Sequence, residues 1–152
     1  MNHLDTILKA HLHSKPILVS ACLLGVCCTY RGDGNPNPAV ISLLDTCTLI
    51  PICPEQMGGL PTPRTPAEIR GNGVWMKDGT DVTIEFQRGA EEALRIATLY
   101  GCDVAILKQR SPSCGNALIY DGTHSGVVIE GAGITAQKLR AAGILVFSED
   151  DL

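Results

Sequence analysis

Short runs of consecutive apolar residues alternate along the chain with segments in which apolar residues recur every three or four positions. The first pattern is typical of strands buried on both faces, and the second of amphipathic helices. We predict strands at residues 16–22, 47–53, 103–108 and 144–147, and a further short strand at 117–120. This alternation favours a single-domain α/β fold with a Rossmann-like, mostly parallel sheet and helices on both faces.

Helices are predicted at residues 37–46, 81–101 and 135–142. Asn37 is a candidate N-cap of the first helix, and Pro38 suits its first turn. Gly101 and Gly143 are well placed to end the second and third helices. The predicted apolar faces are Val40, Leu43 and Leu44 on the first helix, and Ala90, Leu94 and Ala97 with Ile96 and Leu99 on the second.

Two segments lie outside this regular pattern. Residues 55–80 form a long Gly/Pro-rich loop. We expect a lid or a substrate-binding wall, because loops of this length in a compact domain usually have a function. The alternative is a surface excursion with a small hairpin at residues 74–76. Residues 1–14 are expected to be an extension of a single domain at residues 15–152, with a helix that uses Leu4, Ile7, Leu8 and Leu12.

Composition and charge exclude several classes of protein. The chain has 152 residues, of which 45% are hydrophobic and 18% charged, enough to bury one core. The formal net charge of -4 argues against nucleic-acid binding. The apolar runs are far shorter than the roughly 20 residues that cross a bilayer. The N-terminus shows no secretory signal, so we expect a cytoplasmic protein without membrane partners.

The cysteines carry the first chemical signal. Seven cysteines are an odd number and, in a reducing compartment, predict metal or thiol chemistry rather than a disulfide framework. Cys22 and Cys53 end predicted strands, and Cys114 follows a third, so the three should meet at the carboxyl edge of the sheet. Three thiolates on an iron–sulfur cube would leave one iron open, as a catalytic site requires. Spacing alone leaves this metal site and buried, inert thiols equally open.

The other cysteines point to different roles. Cys47 and Cys102 are expected to be ordinary buried residues, because free cysteine is among the most buried residue types. Cys27 and Cys28 lie in the same loop as Cys22. Three roles are considered for either cysteine: a fourth ligand, a resolving thiol, or no role beyond an accident of composition.

Six motifs, in order along the chain, resemble the thiouracil desulfidase (TudS) family from about residue 16 to the C-terminus. They are SACLLG at 20–25, YRGDG at 30–34, PICPEQMGGLPTPR at 51–64, DVT at 81–83, ILKQRSPSCG at 106–115 and IYDGTHSG at 119–126. The family's YDG turn reads Tyr30-Arg31-Gly32 here. The acid is therefore missing at position 31, although Asp33 is close by in sequence.

The resemblance implies a 4Fe-4S cluster held by Cys22, Cys53 and Cys114, with one open iron that binds the substrate sulfur. It further implies desulfuration of thiolated uracils to uracil and hydrogen sulfide. The expected substrate is 2-thiouracil, with 4-thiouracil as a second candidate. Glu55 and Ser111 match the positions that we take as catalytic.

Each catalytic assignment has a structural alternative. Glu55 is expected to activate water, with a pKa raised by a dry pocket, or else to start a helix or pair with Arg64. Ser111 is expected to contact substrate or the Glu55 water, with Ser113 as its near neighbour, or else to bond its own backbone. Lys108 would offset cluster charge or contact a substrate oxygen, or else lie in solvent at a strand end. We expect His124 in an exposed loop, and a solvated face for His3, His11 and His13.

Two other classes of function remain open. One is a zinc hydrolase on the same three thiolates, with Glu55 moving the proton. The other is a non-catalytic sulfur carrier or thionucleoside-binding protein that uses Cys27 and Cys28 as persulfides. The expected partner of the desulfidase is a small thiolated pyrimidine substrate, and a monomer and a weak dimer are both open.

Overall fold

The structure is a computed structural model that describes residues 2–10 and 14–152. The helices are α1 (His3–Ala10), α2 (Pro38–Ser42), α3 (Pro54–Met57), α4 (Thr83–Tyr100) and α5 (Ile134–Ala141). The strands are β1 (Ile17–Ser20), β2 (Leu49–Ile52), β3 (Ala67–Arg70), β4 (Gly73–Met76), β5 (Val104–Leu107), β6 (Leu118–Tyr120), β7 (Val128–Glu130) and β8 (Leu145–Ser148). No helix in these described ranges is long and apolar enough to cross a membrane.

The central sheet confirms the predicted α/β class. Its four strands are all parallel, in the order β2-β1-β5-β8. The predicted strands are present; β1, β2 and β5 are shorter than predicted, and β8 is shifted by one residue. Two predicted cysteine positions therefore need correction. Cys22 does not end β1 but lies in a 3₁₀ turn, Ala21–Leu24. The turn ends at Gly25, whose N–H donates to the carbonyl oxygens of Ala21 and Cys22. Cys53 lies one residue beyond β2.

Both faces of the sheet are covered, because neighbouring residues of a strand point to opposite sides. Leu18 of β1 packs with Ala93 of α4 and Leu139 of α5. Ile17, next to it, packs with Leu4 of α1 and other residues on the opposite face. This helix-on-both-faces arrangement is the one that the sequence predicted.

The predicted capping residues of α2 and α4 are confirmed, but the predicted apolar face of α4 is partly wrong. The Asn37 side chain accepts hydrogen bonds from the N–H groups of Ala39 and Val40, and Gly101 ends α4 with φ of 69°. Leu99 is 74% exposed, so it does not belong to the buried face. The buried residues of α4 are mostly small ones that allow close packing: Phe86, Gly89, Ala90, Ala93 and Ala97.

The segment 55–80 is not a structureless loop. It contains most of α3 and the antiparallel β3–β4 hairpin, which extends the hairpin expected at residues 74–76. The predicted strand at 117–120 is β6, which pairs antiparallel with β7 outside the central sheet. The sequence analysis did not predict β7.

The N-terminal helix is present as α1, and Leu4 and Leu8 are buried against the domain. His3 is exposed, and its ring lies 6.1 Å from that of Phe147. The expectations for Leu12, His11 and His13 lie outside the described residues.

Candidate active site

The fold brings Cys22, Cys53 and Cys114 to one edge of the sheet. Cys22 follows the central strand β1, Cys53 precedes α3 after β2, and Cys114 lies in the loop after β5. Since β2 and β5 flank β1, their carboxyl ends adjoin it. All three side chains line a cavity of about 430 Å³.

A fourth cysteine of this cavity, Cys28, lies directly against Cys53. The interaction between the two thiols lowers the pKa of Cys53 and raises that of Cys28. The Cys53 thiol also lies 3.7 Å from the carbonyl oxygen of Cys28. Cys53 is therefore the cavity thiol that most readily forms a thiolate.

Of the other two cavity thiols, Cys114 is buried and Cys22 is half-buried. Burial raises the pKa of Cys114, and a hydrogen bond to Ser20 opposes that rise. Burial also raises the pKa of Cys22, which Asn35 and the Lys108 cation oppose. Each of these two thiols thus has a polar side chain that favours its thiolate.

Gln109 organises the loop that carries Cys114, and the sequence analysis did not identify it. Its Oε1 accepts hydrogen bonds from the N–H groups of Asn116, Ala117 and Leu118, at 3.0–3.1 Å. Its Nε2 donates to Ser148 Oγ at 3.2 Å. Only the three-dimensional fold shows that one side chain serves three backbone groups.

Glu55 adopts both structural alternatives considered for it. It lies in the first turn of α3, and its Oε1 accepts from Arg64 Nε at 3.1 Å. The Arg64 side chain is only 3% exposed and also donates to the carbonyl of Cys28 at 2.9 Å. Burial raises the pKa of Glu55, as expected, while Arg64 and Ser113 oppose the rise. Because Glu55 also lines the cavity, these contacts leave a catalytic role open.

The two serines of the SPSCG motif differ in their contacts. Ser111 Oγ accepts from the N–H groups of Ser113 and Cys114, both at 3.1 Å, as in the backbone-bonded alternative. Since both contacts use the oxygen, the Ser111 proton is left to donate, and Ser111 lines the cavity. Ser113 is 1% exposed, and its hydroxyl donates to Glu55 Oε2 at 3.4 Å.

Lys108 lines the cavity as an ion-paired residue rather than a fully solvated one. Its Nζ lies 3.1 Å from Glu149 Oε2 and donates to the carbonyl of Gln109 at 2.9 Å. The side chain is 25% exposed. The cation is thus held between the C-terminal segment and the cavity. There its positive charge lowers the pKa of Cys22 and so favours the thiolate.

The expectation for His124 is wrong. Its side chain is only 16% exposed and lines the cavity, and its Nδ1 lies 3.4 Å from Glu68 Oε2. The cause is the β3–β4 hairpin, whose Glu68 binds the turn that carries His124. A lone histidine in a Gly-rich segment gives no local signal of such a partner.

The remaining sequence assignments are met in different ways. Cys47 and Cys102 are buried, as expected, whereas Cys27 is exposed. Arg31 lines the cavity and donates to Asp33 Oδ2 at 3.2 Å. Asp33 itself is exposed. Within residues 2–10 and 14–152, no three His, Cys, Asp or Glu side chains are arranged to hold a single metal ion.

A family model and a solved structure that match this chain carry related descriptions. A family model described as 2-thiouracil desulfurase matches residues 17–151. An uncharacterized protein, YbbK from Bacillus subtilis (strain 168), is 42% identical over 146 residues, which cover 90% of this chain and 97% of that protein. A solved structure described as a 4Fe-4S-dependent thiouracil desulfidase, TudS, is 46% identical and has a TM-score of 0.86. The match covers 91% of this chain and 93% of that chain.

Proposed function

The chain belongs to the 2-thiouracil desulfurase family, and from that premise we propose that it is an iron–sulfur enzyme that desulfurates thiolated uracils. The proposed reaction converts 2-thiouracil and water into uracil and hydrogen sulfide, with 4-thiouracil as a second substrate. The carbon–sulfur bond breaks and a carbon–oxygen bond forms, so the reaction needs no oxidant or reductant. The observation that carries the proposal is the cavity lined by Cys22, Cys53, Cys114 and Glu55.

The residues present fit a 4Fe-4S cluster. Soft thiolates are its usual protein ligands, and Cys22, Cys53 and Cys114 lie close enough for their charges to interact. A cube is held from its corners, so its ligands lie further apart than those of a single ion. Three ligands would leave one iron open to the substrate. When bound, the cluster would supply a soft Lewis acid that polarises the thiocarbonyl group.

Glu55 is the proposed general base that accepts a proton from the attacking water. Arg64 fixes one carboxylate oxygen, and Ser113 donates to the other, so the side chain is held in one orientation. The proton can then be returned to a ring nitrogen or to the departing sulfur. Ser111 is proposed to donate a hydrogen bond into the cavity, and Lys108 to contact a substrate oxygen or offset negative charge.

Neither alternative function is favoured by a specific observation. The zinc hydrolase needs a group of ligands around one ion, which the described residues do not offer. The sulfur carrier needs accessible thiols at Cys27 and Cys28, but Cys28 is only 2% exposed. The desulfidase proposal needs only residues that already line the cavity, namely Cys22, Cys53, Cys114 and Glu55.

Anaerobic reconstitution tests the cluster assignment directly. We expect near-stoichiometric iron and acid-labile sulfide with a broad visible charge-transfer band, and loss of both in Cys22→Ala, Cys53→Ala and Cys114→Ala. Cys47→Ala is the matched control for a buried cysteine remote from the cavity, and it should keep the cluster. Cys28→Ala should keep it as well if three ligands suffice. Uptake of zinc alone, or of no metal, by the wild type would contradict the proposal.

Glu55→Gln tests the proposed base. Glutamine keeps an oxygen that can accept from Arg64 but cannot take a proton from water. We expect the visible band to persist, and sulfide release from 2-thiouracil to fall at least about 100-fold, since general bases contribute about 10²–10⁴. Ser113→Ala, which leaves the carboxylate in place, should retain more activity than Glu55→Gln. Undiminished sulfide release by Glu55→Gln would remove Glu55 from this role.

A further inference from the structure

His124 and Glu68 form a linked pair on the wall of the cavity. Glu68, on β3, is 9% exposed, and His124 lies in the turn between β6 and β7. Glu68 Oε1 accepts hydrogen bonds from the N–H groups of Gly122 at 3.0 Å and His124 at 3.2 Å. Its Oε2 lies 3.4 Å from His124 Nδ1. One carboxylate thus holds the backbone of His124 through hydrogen bonds and lies beside its ring.

This arrangement determines which ring nitrogen carries the proton. An ionised carboxylate only accepts hydrogen bonds, so its contact with Nδ1 favours the tautomer protonated at Nδ1. In the neutral ring, Nε2 is then an acceptor. His124 lines the cavity, and its Nε2 has no hydrogen-bond partner within the described residues, so Nε2 is the ring nitrogen left to bond a molecule there.

Hydrogen-bond donors dominate the charged residues of the cavity wall. The cations are Arg31, Arg64, Lys77, Lys108 and Arg110. The carboxylates of this wall are Glu55 and Glu68, and both are already paired, with Arg64 and His124. A thiolated uracil carries carbonyl or thiocarbonyl acceptors that suit the cations, but its ring N–H groups need an acceptor. His124 Nε2 is such an acceptor.

We propose that His124 Nε2 accepts a hydrogen bond from a ring N–H of the pyrimidine, which makes His124 a specificity-determining residue. The inference rests on the proposed function, because it takes a thiolated uracil as the ligand. Glu68 is the positioning residue, because it acts only through the ring and backbone of His124. The pair therefore selects pyrimidines that keep a proton on that nitrogen.

Binding of uracil to the reconstituted holoenzyme tests the contact without turnover. We compare uracil with 1-methyluracil and 3-methyluracil, on the wild type and on His124→Phe. Phenylalanine keeps a planar ring but has no acceptor. The wild type should bind uracil about 3- to 10-fold more tightly than one of the two methylated compounds, the range expected for one neutral hydrogen bond. His124→Phe should bind uracil and that methylated compound with similar affinity.

A purely steric effect of the methyl group would persist in His124→Phe, because its side chain is no smaller. Persistence of the full wild-type discrimination in His124→Phe would therefore overturn the inference. Equal affinity of the wild type for all three compounds would overturn it too. Unchanged thermal unfolding of His124→Phe shows that a lost preference does not come from unfolding.

Glu68→Gln tests the positioning role with the His124 side chain retained. The N–H groups of Gly122 and His124 require an acceptor, so the amide oxygen of the glutamine should stay on them. Its NH₂ group then faces Nδ1 and favours the tautomer protonated at Nε2, which turns the acceptor into a donor. We expect ¹⁵N NMR to report this change at His124, together with about 3- to 10-fold weaker uracil binding. An unchanged tautomer with unchanged affinity would overturn the positioning role.

The two proposals fail in different ways. If the holoenzyme releases no sulfide from thiouracils but shows the His124-dependent preference, the proposed function fails and the contact stands. If sulfide is released and the preference is the same in His124→Phe, the inference alone fails. If uracil and thiouracil do not bind at all, both fail.

Discussion

At the scale of single residues, the site depends on side chains that do no chemistry themselves. Gln109 is 4% exposed and satisfies three consecutive backbone N–H groups in the turn that follows Cys114. A backbone N–H group that is withdrawn from water needs an acceptor, so these three hydrogen bonds stabilise the observed conformation of the turn. Gln109 thereby restricts where the Cys114 thiol can lie.

Replacing Gln109 with leucine should destabilise the protein and weaken cluster retention. The variant keeps the approximate volume but removes the acceptor of three half-buried N–H groups, so we expect a loss of about 1–3 kcal/mol in the free energy of unfolding. Urea denaturation measures the loss, and iron content after desalting measures retention. Gln137→Leu is the matched control, because the Gln137 amide donates to the Ala132 carbonyl at the surface. Equal stability of the two variants would contradict the role of Gln109.

At the scale of elements, the short helix α3 is held in place by close contact with α4. A Cβ on Gly89 of α4 would lie 2.0 Å from the carbonyl oxygen of Pro54, and one on Gly58 would lie 2.0 Å from that of Glu85. Backbone therefore meets backbone at both positions, which only glycine permits. This contact positions Cys53 and Glu55, because both lie at the start of α3.

Gly89→Ala should move α3 and so lower both stability and activity. Alanine favours a helix by about 1 kcal/mol over glycine, but overpacking costs about 1–3 kcal/mol, and here the clash is with backbone that cannot rotate away. We expect a net loss of about 2 kcal/mol in the free energy of unfolding, with a larger relative fall in sulfide release. Gln87→Ala, at an exposed position of the same helix, is the control and should change neither quantity. A stabilised, fully active Gly89→Ala variant would show that α3 is not held this way.

The same packing explains which elements could be predicted from the sequence. The strands of the central sheet and the caps Asn37 and Gly101 have local signals, and all are present. The buried face of α4 was predicted in part, because the close approach of other elements favours Gly89 and Ala93 over the larger Leu99.

The positions of the site cysteines followed from topology, because the carboxyl ends of neighbouring parallel strands share one edge. Topology did not predict that Glu68 contacts His124 or that Gln109 binds the loop of Cys114. Their contacts join segments through the tertiary fold, and no local period or spacing marks them.

At the scale of the whole molecule, the three proposed ligands connect distant parts of the chain. Cys22 and Cys53 are 31 positions apart, and Cys53 and Cys114 are 61 apart. They follow three neighbouring strands of the central sheet, so a cluster bound to all three would join β1, β2 and β5 at one edge. Unfolding would then require loss of the cluster as well as of the core packing.

Cluster loading should therefore raise the unfolding temperature of the entire domain. A ligand of the native state present at about 1,000 times its Kd adds about 4 kcal/mol of stability. In a domain of this size each kcal/mol shifts Tm by roughly 2–4 °C, so the anaerobic holo-protein should unfold roughly 8–16 °C above the stripped protein. Cys114→Ala should show no such difference, whereas Cys47→Ala should keep it even if its own Tm is lower. Equal Tm values for loaded and stripped wild type would mean that no cluster links the three strands, whatever iron the sample contains.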